Sequence, residues 1–267
     1  MPDHSVSPLR VTRLSLNREL SRRMREWTRA QGLNVSMRGR VASEIVDAFL
    51  DANPDAREAA GKLDLVRAMA AGGVATPDDY DWQDEGPLGP NYTITFVRGL
   101  DEREALSRFG ADPREIRPFT GDEAWLVEDE TGRRGEIVRV VRLDGWAVVI
   151  ERDGWRGVQP DLLCALSRQA GESVAVSRQD YAHHRFTYAL DGQVITSFEP
   201  SHPLSRWGTD PDRLNARLRE LGIEPTADDW IENAVPAALA LASRLSGVVL
   251  TPAHLEQPLP GAPIPQG

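Results

Sequence analysis

Two Asp-Gly dipeptides, Asp144-Gly145 and Asp191-Gly192, each set between runs of alternating apolar residues, constrain this chain more than any other feature. A two-residue connection joins only antiparallel neighbours, and Asp-Gly suits the turn with positive φ at both positions, whose twist matches its strands. Glu136 to Leu143 with Trp146 to Glu151, and Arg185 to Leu190 with Gln193 to Phe198, therefore read as hairpins. Tyr92-Thr93-Ile94-Thr95-Phe96-Val97-Arg98 alternates large apolar and small polar groups as a half-buried strand does, and Val174 to Arg178 reads as another. Helices are expected at Asp101 to Phe109, Pro160 to Arg168, Pro211 to Leu221 and Val235 to Leu245. The implied class is α+β: a small two-helix module followed by a larger, mainly antiparallel sheet with packed helices.

Punctuation by Asn53-Pro54 and Gly72-Gly73 divides the chain. Residues 1–20 read as a tail, 21–53 as the two-helix module, 54–76 as a connecting helix or linker and 77–256 as the α+β domain. The Pro-rich stretch 257–267 is expected to be disordered. Charge follows the division: residues 1–50 hold nine Arg against five Asp and Glu, a balance of +4, leaving −14 for the rest of a chain of net charge −10. Lys62 is the sole lysine, so arginine is used throughout and only its local excess over acids is a nucleic-acid signal. The longest apolar run, near Val235 to Leu245, is too short to cross a bilayer, which points to a cytoplasmic, nucleoid-associated protein that does not contact membranes. A lone cysteine, Cys164, excludes an internal disulfide and suits a buried helix position.

In the basic head, Met24, Trp27, Thr28 and Gln31 recur at three-and-four spacing, and Gly32 suits the left-handed residue that ends a helix. Ser43 can cap a second helix whose Val46, Phe49 and Leu50 bury against Met24 and Trp27. So small a unit is marginally stable without support. Between the helices lies Arg38-Gly39-Arg40. Glycine lets a backbone approach the floor of a DNA minor groove, while two flanking guanidiniums extend along it and read the concentrated negative potential of A·T-rich sequence.

The order Arg25-Glu26-Trp27, Gln31-Gly32, Asn34-Val35-Ser36-Met37-Arg38-Gly39-Arg40 and Val41 to Phe49 resembles the C-terminal DNA-binding domain of the Lsr family of actinobacterial H-NS-like silencers, over Arg22 to Asn53. The resemblance implies that Arg38, Gly39 and Arg40 enter the minor groove of double-stranded A·T-rich DNA and that Ser36 contacts phosphate. Arg22, Arg23, Arg25 and Arg29 are further candidates for phosphate contacts, because clustered cations release counterions from the duplex. Family members carry an oligomerisation domain ahead of this unit, for which residues 1–20 are too few. A single clamp binds weakly, so a homodimer or protein partner held through the acidic domain is expected.

The larger domain, from Trp82 to Thr251, resembles an uncharacterised domain common in Streptomyces, through Tyr92 to Asp101, Gly145 to Val149, Gly154-Trp155, Thr196 to Pro200 and Arg206-Trp207-Gly208. That resemblance implies no chemistry. No phosphate-cradling glycine loop, Gly-x-Ser-x-Gly elbow or His-Glu-x-x-His helix is present, so no catalytic residue, metal site or cofactor is assigned. His183 and His184 are sequential and read as structural or surface residues, as does His202. Trp155, Arg156, Arg206 and Trp207 are the candidate lining of a cleft for an anionic ligand, with Trp125 and Trp146 as further aromatics. Two function classes follow. One is a DNA-binding regulator without catalysis, its acidic domain serving partner binding, dimerisation or sensing. The alternative is an enzyme or immunity-type effector whose large domain acts while the head localises it or binds protein.

Overall fold

The computed structural model describes residues 18–32, 48–49, 52–56, 75–132, 136–180 and 183–265, and the chain divides into two compact units, Met1–Gly73 and Val74–Gly267. In the first unit, α1 spans Arg18–Ala30. Its inward stripe is Met24 and Thr28, both buried, with half-buried Trp27, whose ring meets Phe49 edge to face at 5.8 Å. Met24, Phe49 and Ala56 are at most 2 % exposed and form a small core. The Thr28 hydroxyl, which would otherwise be stranded there, donates to the Met24 carbonyl at 2.7 Å. Gly32, at φ 73°, follows the helix as its spacing suggests. Residues 48–49 and 54–56 are helical, whereas most of the second helix expected from Ser43 lies outside the described residues.

The second unit is built on one sheet of nine strands among the described residues: β1 (Tyr92–Arg98), β2 (Arg117–Phe119), β3 (Ile137–Leu143), β4 (Trp146–Arg152), β5 (Glu172–Arg178), β6 (Arg185–Leu190), β7 (Gln193–Glu199), β8 (His202–Trp207) and β9 (Leu259–Pro263). Their order is β2-β9-β3-β4-β1-β5-β6-β7-β8, and every pairing is antiparallel. Both Asp-Gly turns close hairpins, with φ of 46° and 84° at Asp144 and Gly145 and of 49° and 82° at Asp191 and Gly192. Positive φ at both turn positions is the conformation the dipeptide favours.

Helices cover both faces. On one lie α5 (Asn215–Glu220), α6 (Ala234–Ser246) and a 3-10 segment, Pro77–Asp84, over Ile94, Phe96, Val148, Val176 and Phe186. α6 is apolar all round because it sits between the sheet and the 3-10 segment; its alanines let backbones approach, and Leu239 and Leu241 are fully buried. Each such leucine contributes roughly 2 kcal/mol by leaving water. The Tyr80 hydroxyl joins Ser243 of α6 and accepts from the Leu250 N–H at 3.1 Å. Burial pushes that phenol up to about 12. On the other face α2 (Glu102–Arg108), a 3-10 turn at Arg156–Val158 and α4 (Pro160–Ala170) cover Val97, Val138, Val149 and Ala175. α3 (Gly121–Thr131) forms a satellite cluster with Phe119 and Ile137, and α7 (Pro252–Glu256) precedes β9.

One expectation is corrected. The stretch 257–267, expected to be disordered, contains β9, hydrogen-bonded on both sides between β2 and β3. Its prolines do not prevent this: Pro260 stands opposite Pro118, at a position in the ladder that requires no N–H from either. Leu259, Ala262 and Ile264 are at most 5 % exposed, so the segment carries the apolar burial that composition concealed. β2, β8 and α3 were also not expected.

Candidate nucleic-acid interface

The inward stripe of α1 turns its arginines away from the small core. Arg22 and Arg29 are exposed, while Arg23 and Arg25 are half-buried. Arg23 donates from Nη2 to the Asp55 carboxylate at 2.6 Å, and this bond holds the Asp55 carboxyl below its ordinary range. Its charge is thus already paired within the unit; Arg22 and Arg29 are exposed at the surface of the helix. Trp27 is part of the core rather than a free stacking platform, since its ring meets Phe49. Ser36, Arg38, Gly39 and Arg40 lie outside the described residues.

In the larger unit the cleft expected from Trp155, Arg156, Arg206 and Trp207 is not assembled. Trp155 caps, and Arg156 opens, the 3-10 turn over β1, whereas Arg206 and Trp207 lie on the edge strand β8. Strand register carries Thr95 through Ala175, Thr187 and Ser197 to Trp207, and Gly157 stands directly over Thr95. Four strand spacings, about 19 Å, therefore separate the two ends. Alternation sends Arg206 to the opposite face from Trp207, where it donates to Asp212 at 2.9 Å and to the Pro225 carbonyl at 2.7 Å. Arg156 donates to the Pro265 carbonyl at 2.8 Å. Trp155, Trp207 and Trp125 are exposed at 62 %, 44 % and 38 %, and Trp146 is core.

The histidines are likewise dispersed. His183, largely exposed, lies 3.5 Å from Glu199, and His202 lies 2.9 Å from Asp228. His184 Nδ1 accepts from the Gln179 N–H at 3.3 Å, and burial lowers its pKa. Among the described residues no group of three or more His, Cys, Asp or Glu is placed to hold a metal ion, and no helix is long and apolar enough to cross a membrane.

Sequence reasoning missed the buried charges of the sheet. Glu151 of β4 is fully buried and accepts the Arg156 N–H at 2.9 Å and the Gly157 N–H at 2.7 Å. It therefore latches the turn that carries Trp155. Burial pushes its carboxyl up to about 7 against the opposing pull of those two N–H groups. On the other face Arg139 of β3 is 3 % exposed. The signal was available, since both residues interrupt apolar runs at positions that alternation turns inward.

Residues 16–52 match the model of the Lsr2 DNA-binding domain, and residues 73–258 match that of a family of unknown function, DUF6461. No curated protein and no solved structure matches the chain. The first match covers α1 and the Arg38-Gly39-Arg40 triplet; the second begins at the boundary between the two compact units and spans more than half of the chain. The chain belongs to the DUF6461 family of unknown function and carries, ahead of that domain, a DNA-binding segment of the Lsr2 type.

Proposed function

We propose that this protein is a DNA-binding regulator of the nucleoid, acting in the cytoplasm, whose head recognises the minor groove of A·T-rich duplex through Arg38, Gly39 and Arg40. The observation that carries the reading is the match of residues 16–52 to the Lsr2 DNA-binding domain. The local chemistry supports it. An Arg-Gly-Arg loop supplies two guanidiniums without a side chain between them, and a narrow A·T groove concentrates the potential they read. Ser36 and the exposed Arg22 and Arg29 add phosphate contacts that set register without reading sequence. Arg25 and Arg23 serve the same field from half-buried positions, Arg23 with its charge shared with Asp55. The acidic domain provides a dimer contact, a partner contact or a sensor, and the reading involves no catalysis.

The test is fluorescence anisotropy of the full chain on A·T-rich and G·C-rich duplexes of equal length, wild type beside the double variant Arg38→Ala/Arg40→Ala. Preferential binding to A·T-rich duplex should disappear in the variant while circular dichroism and the melting temperature stay unchanged. Equal preference in both proteins would remove the clamp from the mechanism.

A further inference from the structure

We propose that Arg139 and Arg152 form a binding site for a small oxyanion-bearing ligand, a phosphate or carboxylate group, on the sheet face beneath α3. The site is built by strand register. Arg139 of β3 stands opposite Ile150 of β4, and Arg152 follows two residues later on the same face of β4. Such diagonal neighbours have their Cα atoms about 7–8 Å apart, within reach of two long side chains that converge on one group.

The hydrogen-bonding capacity of these guanidiniums is largely unspent. Arg139, 3 % exposed, makes among the described residues a single hydrogen bond, from Nη1 to the Leu255 carbonyl at 3.4 Å. Arg152 makes no hydrogen bond or ion pair with the described residues, and its Nε is buried without a partner. A guanidinium carries five donors in a fixed fork, so a buried and a half-buried guanidinium so sparsely bonded are unusual. Ion pairing does not explain it. Glu128, the buried carboxylate nearest Arg139 in effect, already accepts the Ile137 N–H at 2.8 Å, and Asp122 is exposed at the rim. Among the described residues, Arg139 and Arg152 thus meet one buried carboxylate, Glu128, and one exposed carboxylate, Asp122.

Helix orientation sharpens the point. The Arg139 guanidinium nitrogens lie 3.5 Å from where a Cβ on Gly121 would sit, at the first residue of α3. A helix N-terminus carries partial positive charge and favours anions, yet here it meets a buried cation. Its Thr120–Glu123 capping box satisfies two of the end's own donors, through the Thr120 hydroxyl and the exposed Glu123 carboxylate. An oxyanion between Arg139, Arg152 and the start of α3 would satisfy all three. The flat fork of each guanidinium matches the two oxygens of a carboxylate or phosphate. Trp125 of α3, 38 % exposed with the Arg152 guanidinium carbon 5.9 Å from its ring centroid, forms a wall for the less polar part of the ligand. This site is independent of the DNA reading.

Isothermal titration calorimetry of the full chain in Tris chloride, with inorganic phosphate in one arm and succinate in another, tests the proposal. Saturable binding of one ligand per chain is expected in at least one arm, and the arm that binds names the group. Arg152→Gln, at a half-buried position that leaves the fold intact, should weaken binding by at least about tenfold. Arg139→Met, which keeps the volume and removes the charge, should do the same. Binding should persist in Arg38→Ala/Arg40→Ala and in the surface variant Arg219→Gln. Absence of heat in both arms at millimolar ligand would overturn the site, as would equal binding by wild type and a folded Arg152→Gln protein.

Discussion

Gly157 leaves no room for a larger residue: a Cβ there would lie 2.0 Å from Thr95 Oγ1 and 2.6 Å from Glu151 Oε2. Neither neighbour is the free end of a flexible chain, because both rise from buried positions of adjacent strands. Gly157→Ala should therefore lower stability by roughly 2–3 kcal/mol, read as a drop in the urea midpoint. The residue it touches makes a second prediction. Glu151 holds its proton up to about pH 7 when folded, against an ordinary value of 4.5. Between those values the folded protein binds more protons than the unfolded one, so stability falls as pH rises through the window and stays lower above it. The contribution lost is roughly 3 kcal/mol. Urea unfolding at pH 5 and pH 8 should show that loss in the wild type and a smaller one in Glu151→Gln. Identical pH dependence in the two would mean that burial does not control this carboxyl.

Elements with a strong local signal were legible from sequence, whereas those defined by their neighbours were not. β3 with β4 and β6 with β7 announced themselves through Asp-Gly turns and alternating runs, and α4 through a proline start and an apolar stripe. β2 is three residues long and pairs only with β9, a strand it helps to create; neither has a periodic pattern of its own. α3 did carry a signal, the Thr120-x-x-Glu123 capping box, but its exposed Trp125 and Leu126 blur the amphipathic stripe. At the candidate sites, the proposed clamp is a three-residue motif that lies outside the described residues, while the proposed Arg139–Arg152 site depends on strand register that no local window contains. β9 can be tested directly. Leu259 is 5 % exposed within the larger core, so Leu259→Ala should destabilise by about 2–4 kcal/mol in urea unfolding. A tail without structure would tolerate the change with no shift in midpoint.

At the scale of the whole molecule the charge asymmetry decides how DNA binding must respond to salt. Residues 1–50 carry +4 and the remainder −14, so the acidic part gains nothing from a polyanion and counterion release must come from the head alone. Each phosphate neutralised contributes a slope of about −0.9 in log affinity against log salt. If the Arg38-Gly39-Arg40 triplet and a few helix arginines contact DNA as proposed, the slope should be roughly −3 to −5. Arg22 and Arg29, exposed on α1, supply phosphate contacts in this scheme and touch no base. The double variant Arg22→Ala/Arg29→Ala should weaken A·T-rich and G·C-rich duplexes alike and make the slope shallower by about 2, in salt titrations followed by anisotropy. Loss of the clamp should act the other way, removing the A·T preference and changing the slope less. If the helix variant instead erased sequence preference with the slope intact, α1 would be reading bases and the loop would be the positioning element.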